Sequence, residues 1–233
     1  MFTDFVQATP VAWSPGRENS CLLYEVSHIP GVRQAQKQQT RQSLLDAGLR
    51  LLEHQSLSSV GLREVTREVG ITPSAFYRHF RDLDELGVAL VDESFGSLRE
   101  MVRAIRSERA ATDEVIDRTV GVIAEYVRRH RAHFRFLARE RHGGVQPVRD
   151  AIDARFRQFA DDLAGDLAAQ PESEGWDPAD VRMLADLYVD HAVTTAAALL
   201  DADGDAAAEQ RIAATARRQL RLISLGRRYW LRG

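Results

Sequence analysis

Apolar positions along this 233-residue chain recur at helical spacing from about Gly31 onward, and no stretch alternates with period two. Leu44, Leu45, Gly48, Leu51 and Leu52 form one stripe, which predicts a first helix over Gly31–Gln55. Leu62, Val65 and Val69 mark a short second helix, and Phe76 and Phe80 share the buried face of a third. A long helix over Asp82–Arg109 follows, with Leu86, Leu90, Phe95, Leu98, Met101, Val102 and Ile105 along its inner side. Thr112–Arg129 is strongly amphipathic through Val115, Ile116, Val120, Ile123 and Val127, and Ala132–Arg141 turns Phe134 and Leu137 inward. Beyond Gly143, Gly144 and Pro147, Val148, Ile152, Phe156, Phe159, Leu163 and Leu167 make another stripe. Gln170–Pro178 reads as a turn-rich loop, and two long helices, Pro178–Leu200 and Asp205–Trp230, end the pattern. The expected fold is all-α.

Punctuation sharpens the segment from Gly61 to Leu86. Gly61 offers an N-cap with Glu64 three residues on, and Gly70 stands where a helix ends on a left-handed residue. Thr72 offers an N-cap hydroxyl and Pro73 fills the first helical position. Asp82 and Glu85 form a capping pattern for the next helix. Two short helices thus meet across a turn of about three residues, as in a helix-turn-helix. The face opposite Phe76 and Phe80 carries Ser74, Ala75 and Arg78, flanked by Tyr77 and His79. Arginine reads guanine edges or holds phosphate, and hydroxyls hold phosphate. With Thr72 and Arg63 these are candidate DNA contacts. Arg33, Lys37 and Arg41, at i, i+4 and i+8, either contact phosphate or form a solvated face.

These residues resemble the TetR family of transcriptional regulators. The likeness rests on Ser43–Leu52, Leu62–Val65, Gly70–Thr72, Phe76–Phe80 and Leu86, strongest over Arg33–Glu93, with Tyr77, His79 and Phe80 its most specific part. A narrower likeness, to the FabR and DesT type of repressor of unsaturated fatty acid synthesis, rests on Gly31–Arg33, Ser74–Asp82, Val91–Ser94, His133–Arg141, Ile223, Ser224, Tyr229 and Trp230. Leu83 departs from the family pattern where a phosphate-touching lysine is usual, and Thr66 where alanine is usual. The resemblance implies a three-helix DNA-binding domain over 31–81, after an extension over 1–30, and a helical ligand-binding and dimerisation domain over 82–233. It also implies a homodimer on a palindromic operator. The last two helices, with the small residues Ala192–Ala198, would form the dimer interface; ordinary intrachain packing uses such residues equally well.

Charge distribution fits a reader joined to a sensor. Gly31–Arg81 holds eight Lys/Arg against four Asp/Glu, a net +4, while the whole chain carries −3, leaving −7 elsewhere. The extension 1–30 reads as loosely structured or as packing through Phe2, Phe5, Trp13 and Leu22–Tyr24. One cysteine, Cys21, gives neither a disulfide framework nor a zinc site. No uninterrupted apolar run approaches the ~18 residues of a membrane span, and the first residues do not read as a secretory signal, so a cytoplasmic protein is expected.

Enzyme signatures are sparse. His142–Gly144 lacks a partnering Gly-x-Ser-x-Gly elbow, His130 and His133 lack a patterned third metal ligand, and Asp161 and Asp162 read as a solvated helix face. The expectation is a regulator, with no metal and no catalytic cofactor.

For the sensor, Phe95, Leu98, Met101, Val102, Ile105, Phe134, Leu137, Phe156, Phe159, Leu163, Met183 and Leu187 are candidate cavity residues, though each also fits plain core. Arg135, Arg139 and Arg141, with Arg155 and Arg157 on the next helix, are candidate phosphate holders. The narrower resemblance implies that a long-chain acyl-CoA is the effector, and that saturated and unsaturated chains act differently on operator affinity. A repressor of this fold responding to another apolar molecule or drug is the alternative; a helical enzyme is a remote one.

Overall fold

The computed structural model describes residues 30–106 and 112–230, apart from the side chains of residues 30–32, 97, 99–106 and 112–113. The extension 1–29, the end of the expected linker helix at 107–109, and the side chains of Met101, Val102 and Ile105 lie outside the described residues. Every described element is helical. They are α1 (Pro30–Leu51), α2 (Leu62–Val69), α3 (Pro73–Phe76), α4 (Leu83–Arg106), α5 (Thr112–Arg129), α6 (Arg131–Glu140), α7 (Gln146–Ala168), α8 (Pro178–Asp201) and α9 (Ala206–Tyr229), with single 3-10 turns at Leu57–Ser59 and Pro171–Ser173.

The chain divides into compact units after Arg41. In the first, residues 33–39 of α1 are all exposed, and Thr40 donates its hydroxyl to the Gln36 carbonyl at 2.9 Å. The second runs from Gln42 and holds the remaining elements.

The helix-turn-helix elements in this larger unit have no core of their own. Leu44, Leu52, Leu57, Val65, Phe76 and Phe80 form one cluster with Leu86, Leu90 and Val91 of α4, Phe136 of α6, and Val148 and Ile152 of α7. Too few apolar side chains lie between Gln42 and Phe80 to exclude water alone, so α4, α6 and α7 complete the burial. Ile123 and Val127 of α5 pack with Ala196 and Leu199 of α8, and Ile116 and Val120 with Ala216 and Leu220 of α9.

α8 is the central element: α5, α6, α7 and α9 all pack on it. An 18-residue window of it has mean hydropathy 1.2, enough by length and composition to match a membrane span. Its neighbours account for part of that composition, since 39% of the window is buried against them.

The caps agree with the punctuation. Gly70 ends α2 at φ 72°. Thr72 Oγ1 accepts the Ala75 N–H at 3.3 Å. Asp82 Oδ1 accepts from the Glu85 N–H at 2.8 Å, and Glu85 Oε2 accepts from the Arg81 N–H at 2.7 Å. Asp177 and Asp205 cap α8 and α9 in the same way. Glu64 does not return to Gly61; its carboxylate takes the Gln55 amide at 3.1 Å instead. Thr66 is buried, and its hydroxyl donates to the Arg63 carbonyl, so the departure from alanine leaves no buried polar group unsatisfied.

Two boundaries differ from expectation. α1 stops at Leu51 rather than Gln55, because Glu53 and His54 bond three residues back and tighten the last turn. α3 is one turn long, and Arg78 and His79 likewise bond three residues back.

Candidate nucleic-acid interface and ligand cavity

The cap pair Gly70 and Thr72 sets α3 so that Phe76 is fully buried while Tyr77 is 59% exposed. Thr72, Ser74 and Arg78 are exposed, and Ala75 and His79 are half-buried. Thr72 Oγ1 and Ser74 Oγ stand 2.9 Å apart, so the two hydroxyls form one polar edge at the start of α3. Arg63 and Arg67 are exposed on α2. Neither they nor Arg78 has a carboxylate partner among the described residues, whereas Arg81 pairs with Asp82 at 3.3 Å. Guanidiniums left without an internal counter-ion beside exposed hydroxyls suit a phosphate-lined partner. Arg33 and Lys37 are exposed on α1, and Arg41 is half-buried.

A cavity of about 80 Å³ opens between α4, α5, α6, α7 and α8. Its walls hold Phe95, Leu98, Phe134, Leu137, Arg141, Phe156 and Phe159 of the residues expected from sequence. Phe95 and Phe156 meet edge to face at 4.9 Å. Among the described residues Arg141 is the one charged residue in the lining; its guanidinium lies 5.1 Å from the Phe156 ring centre and has no carboxylate partner among them.

The remaining candidates are placed elsewhere. Met183 and Leu187 are each 47% exposed on α8, and Leu163 packs with Leu167 and Leu184. Arg135 donates to Asp203 at 3.1 Å. Arg139 donates to three backbone carbonyls, those of Leu52, Gln55 and Glu53, at 2.7, 2.8 and 3.2 Å. Arg157 is exposed on α7.

The sequence reading missed the far wall. Val189, Ala192, Val193, Ala196 and Ala197 of α8 line the cavity. The signal was the run of small residues at 192–198, which makes room where larger side chains would fill it.

It also missed Glu140, 1% exposed, whose Oε1 accepts the Leu57 N–H at 2.9 Å and whose Oε2 has no partner. Helical spacing places Glu140 on the same face as Phe136, a clue to its burial. Glu140 and Arg139 together grip the segment between α1 and α2, while Phe134, Leu137, Ala138 and Arg141 of the same turns face the cavity. A third contact joins α6 to α1 through α4. His133 Nε2 stands 3.9 Å from Glu93 Oε1, which accepts the Gln42 amide at 3.0 Å. The His133 imidazole holds the Glu93 carboxyl below the usual carboxylate range, against the opposing effect of burial. α6 therefore lines the cavity on one side and packs on the segment after α1 and on α4 on the other.

Comparison with known proteins places these halves. A family model described as bacterial regulatory proteins of the tetR family matches residues 44–90. A second, described as the tetracyclin repressor-like C-terminal domain, matches residues 112–226. Among solved structures, the fatty acid degradation regulator FadR of Bacillus halodurans is similar at TM-score 0.62 and 9% identity, over 78% of this chain and 94% of that one. FadR of Bacillus subtilis, solved in complex with stearoyl-CoA, is similar at TM-score 0.61 and 14% identity, over 78% and 96%. A TetR-family regulator of Streptomyces coelicolor is similar at TM-score 0.62 and 23% identity, over 81% and 96%. At such identities the solved structures speak for the fold alone.

Proposed function

Because this chain belongs to the TetR family of bacterial regulators, we propose that it is a dimeric, cytoplasmic transcriptional repressor of genes for unsaturated fatty acid synthesis, released or tightened on its operator by long-chain acyl-CoA. The family consists of DNA-binding regulators rather than enzymes, so the chemistry to account for is recognition. The observation that carries the effector assignment is the cavity wall: among the described residues it is apolar, with four phenylalanines, apart from the single charge of Arg141. An apolar chain ending in an anionic group matches both features. The stearoyl-CoA held by a protein of similar fold supports the same class.

The cavity's size bears on mechanism. Ligand sites commonly run to about 300–1,000 Å³, so at about 80 Å³ the cavity is small for a long acyl chain. A long acyl chain enters only as the surrounding helices move apart, and α4 and α6 both reach from the cavity to the reader. A straight and a kinked chain spread those helices differently. Each ligand then shifts operator affinity by its differential affinity for the two states.

Exposed apolar side chains supply the dimer surface. Leu222, Leu225 and Tyr229 lie along α9 at i, i+3 and i+7, and Met183 and Leu187 along α8 at i and i+4. A symmetric pairing of these helices buries them in a four-helix contact and sets two recognition helices about one DNA turn apart. Sedimentation should give a dimer.

Titrating palmitoyl-CoA and oleoyl-CoA against the protein bound to a desaturase or synthase promoter, at fixed salt, tests the function. Opposite shifts in operator affinity are expected. Equal shifts overturn the reading of saturation, and tight operator binding indifferent to both overturns the acyl-CoA assignment.

A further inference from the structure

A second, polar recess of about 20 Å³ lies against the cavity, lined by Phe95 and Leu98 of α4 and by Arg155, Gln158, Phe159 and Asp162 of α7. Phe95, Leu98 and Phe159 belong to both linings, so these three side chains are the partition between the recess and the apolar cavity. At the recess Arg155 donates Nε and Nη2 to a single oxygen, Oδ1 of Asp92 on α4, at 3.0 and 2.6 Å. Its third nitrogen, Nη1, donates to Gln158 Oε1 at 3.1 Å. Arg155 is 36% and Asp92 52% exposed, so water screens the pair and it holds weakly. Asp92 directly follows Leu90 and Val91, which are buried in the reader's core, so this ion pair ties the sensor's α7 to the helix that supports the reader.

Building on the acyl-CoA reading, we propose that the recess is a headgroup subsite besides the one at Arg141, and that an anionic group of the ligand takes Arg155 away from Asp92 while its chain crosses the Phe95, Leu98 and Phe159 partition. A phosphate or carboxylate offers two oxygens to the guanidinium fork where Asp92 offers one. Asp92, already half in water, is rehydrated when released. Asp162 also faces the recess and opposes any anion that does not engage the full fork. The exchange gives the headgroup a direct effect on α4: binding an anionic amphiphile severs the α4–α7 ion pair, whereas a neutral molecule with the same chain fills the cavity and leaves the pair closed. The chemistry recognised is an anion on a long alkyl chain, supplied either by a coenzyme thioester or by a free fatty acid.

The test compares palmitoyl-CoA, palmitate and hexadecanol, which share a chain and differ in head, by displacement of the neutral fluorophore N-phenyl-1-naphthylamine from the full-length protein. Arg155→Gln should weaken the anionic ligands about tenfold or more and leave hexadecanol unchanged. Asp92→Asn removes the internal competitor and should tighten the anionic ligands about threefold. Equal losses for all three ligands in Arg155→Gln, or no gain in Asp92→Asn, overturn the exchange. If palmitoyl-CoA binds and Arg155→Gln is indifferent, the exchange fails and the acyl-CoA reading stands. If palmitate binds in an Arg155-dependent way and palmitoyl-CoA does not bind, the coenzyme reading fails and the exchange stands. Binding by none of the three overturns both.

Discussion

Arg78→Ala should lower affinity for the selected operator by about 10²–10⁴-fold, because each base-reading arginine is worth about 1–3 kcal/mol and the proposed symmetric dimer loses two. The side chain is exposed and takes no part in the core or in any ion pair among the described residues, so its melting temperature should stay that of the unmodified protein. Operator binding is measured by titration at fixed salt, on the duplex that the unmodified chain enriches from a random pool. Tyr77→Ala, which removes a side chain 59% exposed beside Arg78, should act in the same direction. The two ways in which Arg78 can contribute are separable. If the guanidinium reads a base, the variant relaxes sequence preference at that position. If it holds a phosphate, the variant binds all sequences more weakly and flattens the salt dependence by about one charge per half-site. Unchanged affinity in both variants would remove Tyr77 and Arg78, at the end of α3, from the interface.

Glu140→Ala should cost about 1–3 kcal/mol, roughly 2–12 °C in Tm, by leaving the Leu57 N–H buried without an acceptor. Glu140→Gln, which keeps an oxygen for that N–H, should retain most of the stability. Gly143 provides an independent handle. A Cβ there would stand 2.3 Å from Glu140 Oε2 and 3.2 Å from its Cα, so Gly143→Ala pushes the carboxylate off Leu57. Alone it should cost about 1–3 kcal/mol, as other overpacked sites do. In the Glu140→Ala background most of that cost should vanish, a coupling of about 1 kcal/mol or more. Additive losses, read by thermal melts of the four proteins, would show that the two residues act on stability separately.

The parts of this molecule written in local sequence were legible. Gly70, Thr72, Pro73 and the Asp82–Glu85 pair act within a few residues of themselves, and each stands as a cap or turn where its chemistry put it. The aromatic side of the cavity was legible for the same reason, since Phe134, Phe156 and Phe159 fall on stripes that face inward. The alanine side was not, because a small residue is equally suited to close helix packing and to leaving space. The arginines of α6 carry the clearest lesson. Arg135, Arg139 and Arg141 look alike in the sequence, yet one meets Asp203, one meets the carbonyls after α1, and one lines the cavity. Their partners are 68 residues away for the first and 84 to 87 for the second, beyond any local pattern. Glu140 was hidden in the same way, by a partner 83 residues distant.

The hold of α6 on the segment after α1 also limits how this protein can be recombined. Regulators are often rebuilt by joining the reader of one to the sensor of another. A cut at residues 81–82 here would separate Arg139 from three carbonyls, Glu140 from the Leu57 N–H, and Val148 and Ile152 from the cluster that contains Leu57. A transplanted reader would keep its candidate DNA contacts and lose its footing, unless the recipient sensor offered an arginine and a carboxylate at the same turn. The seam between the two functions is thus a shared inheritance: residues on either side of it can drift only in step, while the recognition surface and the cavity wall remain free to diverge on their own.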